Sequence, residues 1–289
     1  MPTSRRPVYL LVAFVGILAS GVFIFLSKRL PPGIRSSEPR MESSAAKGED
    51  SAATRPPAPI SWPTPFSVKV DALPPREALP PGTLRVLVVG DSVASFLGLA
   101  LRYRQDEAKA FVAARGVGSC SIFESKPYIE KGKSVMSSSC STRWAEDVTE
   151  LRPDVTLIVM GGGFFNEKSC DSSWQASYER RIFALTRSMG TNAGRIVLTR
   201  VPYPIKGWRY GNIPARVDCF NTMLASTARK YGFQVLDLMS YLCPTPECLV
   251  ESQGKPIRPD GLHFDGAGAE ETARWVLGEL NRLARVESR

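Results

Sequence analysis

Residues 84–101 read LRVLVVGDSVASFLGLAL. A short apolar run, Val86–Val89, breaks on Gly90-Asp91-Ser92 and passes into a segment whose apolar residues recur at helical spacing. An apolar run closed by a glycine turn reads as a buried strand, and the segment after it as a helix. Ser92 is therefore expected at the carboxyl end of a strand, where open α/β sheets keep their active sites. A serine at that position also makes a good helix cap, and the two readings compete.

The far end of the sequence bears on that choice. The chain has one histidine, His263, within Arg258-Pro259-Asp260-Gly261-Leu262-His263-Phe264. A nucleophilic serine needs a base, and imidazole is the usual one because it titrates near neutrality. A turn of D-x-x-H form folds the Asp260 carboxylate onto one ring nitrogen and leaves the other for the serine proton. The bland alternative is a surface histidine in a polar loop.

GDS after the first strand and D-x-x-H before the last helix resemble blocks I and V of the SGNH hydrolase superfamily. More narrowly, residues 84–285 are similar to the SGNH domains that accompany bacterial acyltransferase-3 membrane proteins. The shared texture is VLVVGDSVA, the cysteine in GVGSCS, LRPDVTLIV, and RPDGLHF followed by Gly266-Ala267-Gly268-Ala269. The resemblance implies a three-layer α/β, flavodoxin-like domain that works on acyl esters without a cofactor or metal. It implies a Ser92, His263, Asp260 triad, with an oxyanion held by the N–H of Ser92 and of a glycine after the second strand. Gly118 and Gly116 both fit that glycine, and either also reads as a plain turn residue. The superfamily places G-x-N-D after the third strand. Here that strand runs into Gly161-Gly162-Gly163-Phe164-Phe165-Asn166, so the asparagine comes three residues late. Asn166 is the candidate for the remaining oxyanion donor.

Outside this domain, residues 1–30 and 31–83 have other characters. Val8–Leu26 is uncharged, flanked by Arg5-Arg6 and Lys28-Arg29, and long enough to cross a bilayer. A cleaved signal peptide is the competitor, but Ile17-Leu18-Ala19-Ser20-Gly21 is a poor cleavage site, which favours a retained anchor. Residues 31–83 are rich in Pro, Ser and Ala and read as an extended tether, with Trp62 and Phe66 as its aromatic residues. Positive charge on both sides of the span leaves orientation open. Cysteines decide it: all six lie in 84–289, and an even number favours disulfides and an oxidising compartment, outside the cytoplasm. Cys120 with Cys140, the local pair Cys243 with Cys248, and by remainder Cys170 with Cys219 are the expected bridges.

The net charge of +9 is spread unevenly, about +5 on residues 1–40, about −1 on the tether and about +5 on the domain. So mild a basic domain suits an anionic envelope surface and argues against nucleic acid as a partner. Within 84–289, apolar runs alternate with amphipathic ones, as in a parallel sheet covered by helices. Strands are expected at Ala110–Ala114, Val155–Met160, Arg195–Val201 and Phe233–Asp237. Helices are expected at Trp144–Leu151, Ser173–Met189, Val217–Tyr231 and Gly266–Leu283. The stretch between Cys120 and Cys140 reads as a polar loop, and Lys206–Tyr210 as a loop mixing aromatic and cationic groups. The function expected is ester chemistry on an acylated cell-envelope glycan by an anchored extracytoplasmic enzyme, as esterase or O-acyltransferase, with an integral-membrane acyltransferase as partner. The rival is an inactive SGNH shell that binds glycan or docks on such an acyltransferase.

Overall fold

The computed structural model describes residue 74 and residues 76–118, 120–122, 127–130, 133–136, 139–141, 143–161, 170–205, 214–245 and 247–285. The expected anchor Val8–Leu26 and the tether up to residue 73 lie outside the described residues. Among the described residues no helix is long and apolar enough to cross a membrane.

The chain order is β1 (Leu84–Gly90), α1 (Ser92–Arg104), β2 (Ala110–Gly116), β3 (Pro127–Glu130), β4 (Lys133–Met136), α2 (Trp144–Leu151) and β5 (Val155–Val159). It continues with α3 (Ser172–Met189), β6 (Arg195–Arg200), α4 (Pro214–Tyr231), β7 (Gln234–Asp237) and α5 (Leu238–Leu242). A small hairpin of β8 (Glu251–Ser252) and β9 (Lys255–Pro256) then leads to α6 (Gly266–Arg285).

Five strands form one parallel sheet in the order β2-β1-β5-β6-β7. Every residue of β1 and β5 is buried, Arg85 and Thr156 included, which is why both strands are mostly apolar rather than alternating. Helix α1 packs on α6, while α2 packs on α3 and α3 on α4, giving a helical layer on each side of the sheet. The three-layer α/β architecture expected from the sequence is therefore present. Counted along the sheet by chain position, the order is 2-1-3-4-5, so the chain reverses its direction of travel between β1 and β5. That reversal opens a crevice at the carboxyl ends of those two strands.

Helix and strand ends differ from the sequence reading by a few residues. β2 extends to Gly116, and α4 begins at Pro214. The short α5 and the β8–β9 hairpin are absent from the sequence reading. The stretch between Cys120 and Cys140 is not wholly loop, because β3 and β4 pair antiparallel within it. Its base is closed by the disulfide, by Cys140 N–H donating to Ser121 O at 2.9 Å, and by Arg181 Nε of α3 donating to Ile122 O at 2.7 Å. Cys170–Cys219 and Cys243–Cys248 are also bonded, so all three pairs are as expected.

Candidate active site

The turn between β1 and α1 is built from its neighbours' close approach. Gly90 has φ +138°, and a Cβ there would lie 1.8 Å from the carbonyl oxygen of Val159 on β5. Only glycine permits both the conformation and that approach. Gly116, at the end of β2, lies against Ser95 in the first turn of α1, where a Cβ would come within 2.2 Å of the Ser95 nitrogen. Gly161, just past β5, abuts Val93 in the same way, with a Cβ falling 2.5 Å from its Cγ2. The ends of three adjacent strands thus close around the residues on either side of Ser92.

Asp91, not Ser92, caps α1. Its side chain accepts from Val93 N–H at 2.9 Å, and its extended backbone leads into the helix. The capping account of Ser92 is therefore not what the structure shows. The Ser92 hydroxyl instead bonds His263, with Oγ 2.8 Å from Nε2.

Asp260 and His263 meet as the D-x-x-H spacing predicts. Oδ1 of Asp260 accepts the backbone N–H groups of Leu262 (2.9 Å) and His263 (2.8 Å), and Oδ2 lies 2.5 Å from Nδ1 of the ring. Burial would push this carboxyl up, but the hydrogen bonds from the His263 ring and the two backbone amides outweigh it and hold it at about 2. An ionised carboxylate only accepts, so Nδ1 must carry the proton. In the neutral ring Nε2 is then left to accept from the Ser92 hydroxyl. Phe96, one turn along α1 from Ser92, packs its ring 4.6 Å from that of His263.

The D-x-x-H turn is itself tied to the segment after β6. Ile205 N–H donates to Gly261 O at 2.9 Å, and Nη1 of Arg258 donates to Tyr203 O at 2.7 Å. Arg258 is only 1% exposed, and its Nε and Nη2 find no hydrogen-bond acceptor among the described residues. Burial lowers this guanidinium to about 10, against the opposing pull of Asp260. Sequence reading missed Arg258 and Phe96. An arginine two residues before a loop aspartate carries no local mark of burial, and Phe96 looked like any apolar helix residue.

Of the oxyanion candidates, Gly118 lies in the turn after β2, next to Val117, whose N–H donates to Gly90 O at 2.9 Å. Gly116 belongs to β2, and its packing on Ser95 accounts for the absence of a side chain. Asn166 and Lys206–Tyr210 lie outside the described residues. Among the described residues no cluster of His, Cys, Asp and Glu is arranged to hold a metal ion.

No protein-family model matches the sequence, and no curated protein matches it. Solved structures do. The periplasmic domain of a lipopolysaccharide acetyltransferase from Salmonella ser. Paratyphi A aligns with TM-score 0.51 and 14% identity, over 70% of this chain and 85% of that one. A Bacteroides fragilis protein assigned as an acylhydrolase aligns with TM-score 0.50 and 17% identity, over 72% and 91%. The chain has the SGNH hydrolase fold. Ser92 lies at the switch point of the sheet, joined to His263 by a hydrogen bond.

Proposed function

We propose that the protein is an SGNH-type serine enzyme that cleaves or transfers acyl groups, acetyl groups among them, on esters of cell-envelope glycans. The observation that carries this reading is the unbroken hydrogen-bond chain from Asp260 through His263 to Ser92. In it, Ser92 Oγ attacks the acyl carbonyl carbon while its proton passes to Nε2 of His263, and Asp260 stabilises the imidazolium so formed. The oxyanion is held by the N–H of Ser92, one of the first-turn amides without an intrahelical acceptor, and by the N–H of Gly118. Asn166 is the further donor in this reading. Collapse expels the alcohol, which takes the proton from His263, and leaves the acyl group on Ser92. Water as the second acceptor makes an esterase, and a sugar hydroxyl makes an O-acyltransferase. No cofactor takes part. Ester chemistry agrees with the activities named for the two solved structures of the same fold.

A fluorophosphonate probe tests this on the full-length protein. It should add one adduct, mapped by mass spectrometry to Ser92, and Ser92→Ala or His263→Ala should abolish labelling while the protein stays folded. A folded wild type that takes no label would instead favour a non-catalytic, glycan-binding or partner domain, the reading to which the displaced asparagine of the third block points.

The proposal also holds the domain outside the cytoplasm on a retained Val8–Leu26 anchor, beside a membrane acyltransferase. Six cysteines bonded in three pairs support an oxidising compartment. The full-length protein should then resist extraction from membranes by carbonate. A native chain beginning near Ser20 would refute the anchor.

A further inference from the structure

Proton transfer between Ser92 and His263 needs a loop to be placed accurately on a sheet. Ser92 follows β1, which is paired on both sides. His263 belongs to no strand or helix, yet its Nε2 lies 2.8 Å from Ser92 Oγ. Leu262 and Phe264, buried on either side of it, hold the loop to the core. Apolar contact is not directional, so it sets depth rather than lateral position. Direction comes from two hydrogen bonds to the segment after β6. Gly261 O accepts from Ile205 N–H at 2.9 Å, and Tyr203 O accepts from Nη1 of Arg258 at 2.7 Å. That segment is a firm seat. The buried Asn221 of α4 accepts from Val201 N–H at 2.9 Å and donates to Val201 O at 2.8 Å. The Tyr203 hydroxyl donates to Asp218, also on α4, at 2.5 Å.

We infer that Arg258 is a positioning residue for acyl transfer: its guanidinium spans from the D-x-x-H turn to the extension of β6 and so places His263 on Ser92. The inference rests on the acyl-transfer reading above. Arg258 is 1% exposed, and among the described residues its Nε and Nη2 have no acceptor. Taking a guanidinium out of water is costly, and one bond to a carbonyl does not require a cation. For stability alone, an apolar side chain of similar volume would serve as well. What the arginine adds is reach and direction. Its own carbonyl accepts from Gly261 N–H at 2.8 Å, so its backbone is part of the turn that its side chain ties down. Asp260, inside that turn, bonds the amides of Leu262 and His263 as well as the ring. A shift at Arg258 is therefore carried through the turn to Nε2. A displacement of about 1 Å at a reacting atom is enough to cost on the order of a hundredfold in rate.

The chain has one histidine, so the ring resonances of ¹⁵N-histidine-labelled protein report on His263 alone. In the full-length protein, Arg258→Met should shift those resonances. It should also lower kcat for 4-nitrophenyl acetate, and the rate of phosphonate labelling at Ser92, on the order of tenfold or more, with KM nearly unchanged. Arg258→Lys, which keeps a charged donor on a long stem, should recover part of each loss. Thermal melts check that both variants fold. A role in stability alone would lower the melting temperature of Arg258→Met and leave kcat, labelling and the ring resonances unchanged, and that result overturns the inference. Should Arg258→Met not fold, Arg258→Lys decides by itself: it should label Ser92 several times more slowly than the wild type, and a wild-type rate overturns the inference. Failure of the acyl-transfer reading looks different, because the wild type then neither hydrolyses the ester nor takes phosphonate. The ring resonances still test the placement of His263 in that case.

Discussion

A single carboxylate sets the protonation of the candidate site. Asp260 is held at about 2 because it accepts two backbone amides and the imidazole N–H, and this outweighs the cost of its partial burial. The group binds fewer protons folded than unfolded, so its contribution to stability is complete above about pH 4 and is lost as the pH falls towards about 2. Asp260→Asn removes that contribution. The gap in melting temperature between wild type and Asp260→Asn should therefore be wider at pH 5 than at pH 2. With the side chain 47% exposed, solvent screening keeps the effect small. An equal gap at both pH values would show that the native carboxyl is not held low. The same substitution should impair phosphonate labelling of Ser92, because an amide in place of the carboxylate no longer dictates which ring nitrogen carries the proton. Behind this pair, the buried Arg258 adds a positive charge that favours the ionised carboxylate.

At the scale of the element, the β1–α1 junction divides labour between adjacent residues. Gly90 permits contact with β5, Asp91 satisfies the helix N-terminus, and Ser92 is left to bond His263. Asp91→Ala should cost about 0.5–2 kcal/mol, the ordinary value of a lost N-cap, measured by urea denaturation. No loss would mean that another group, Ser92 included, takes over the cap, and the division of labour would be wrong. The strands and helices around this junction were legible because each follows a local rule. β5 is buried on both faces and is apolar but for Thr156, whose hydroxyl donates to Ala193 O, and α2 carries the spacing of an amphipathic helix from Trp144 to Leu151. The β3–β4 hairpin was not legible. Pro127–Glu130 and Lys133–Met136 contain little apolar alternation, and their pairing sits within a stretch whose base is closed by Cys120–Cys140.

For the whole domain, the three disulfides close loops of very different length. The sequence separations are 49 for Cys170–Cys219, 20 for Cys120–Cys140 and 5 for Cys243–Cys248. If restriction of the unfolded chain dominates, their contributions are about 4, about 3 and about 2 kcal/mol in that order. Paired Cys→Ala variants should lower the unfolding free energy in the same order. If the Cys243/Cys248 variant proved the most costly, native contacts around the short loop, rather than loop entropy, would be the source of stability.

Sequence alone determined the alternation of strands and helices and the meeting of Asp260 with His263. Each depends on short-range rules: periodicity over about ten residues and turn chemistry over four. Six cysteines allow fifteen pairings, so the structure decided theirs. Tertiary structure alone decided that His263 reaches Ser92 across 171 residues, because that contact depends on strand order and on α6 packing against α1. It also decided that Asp91 takes the cap, that Arg258 is buried, and that Phe96 meets His263. A residue's pattern tells which face of a helix it shares, but only the packed neighbours determine what that face meets.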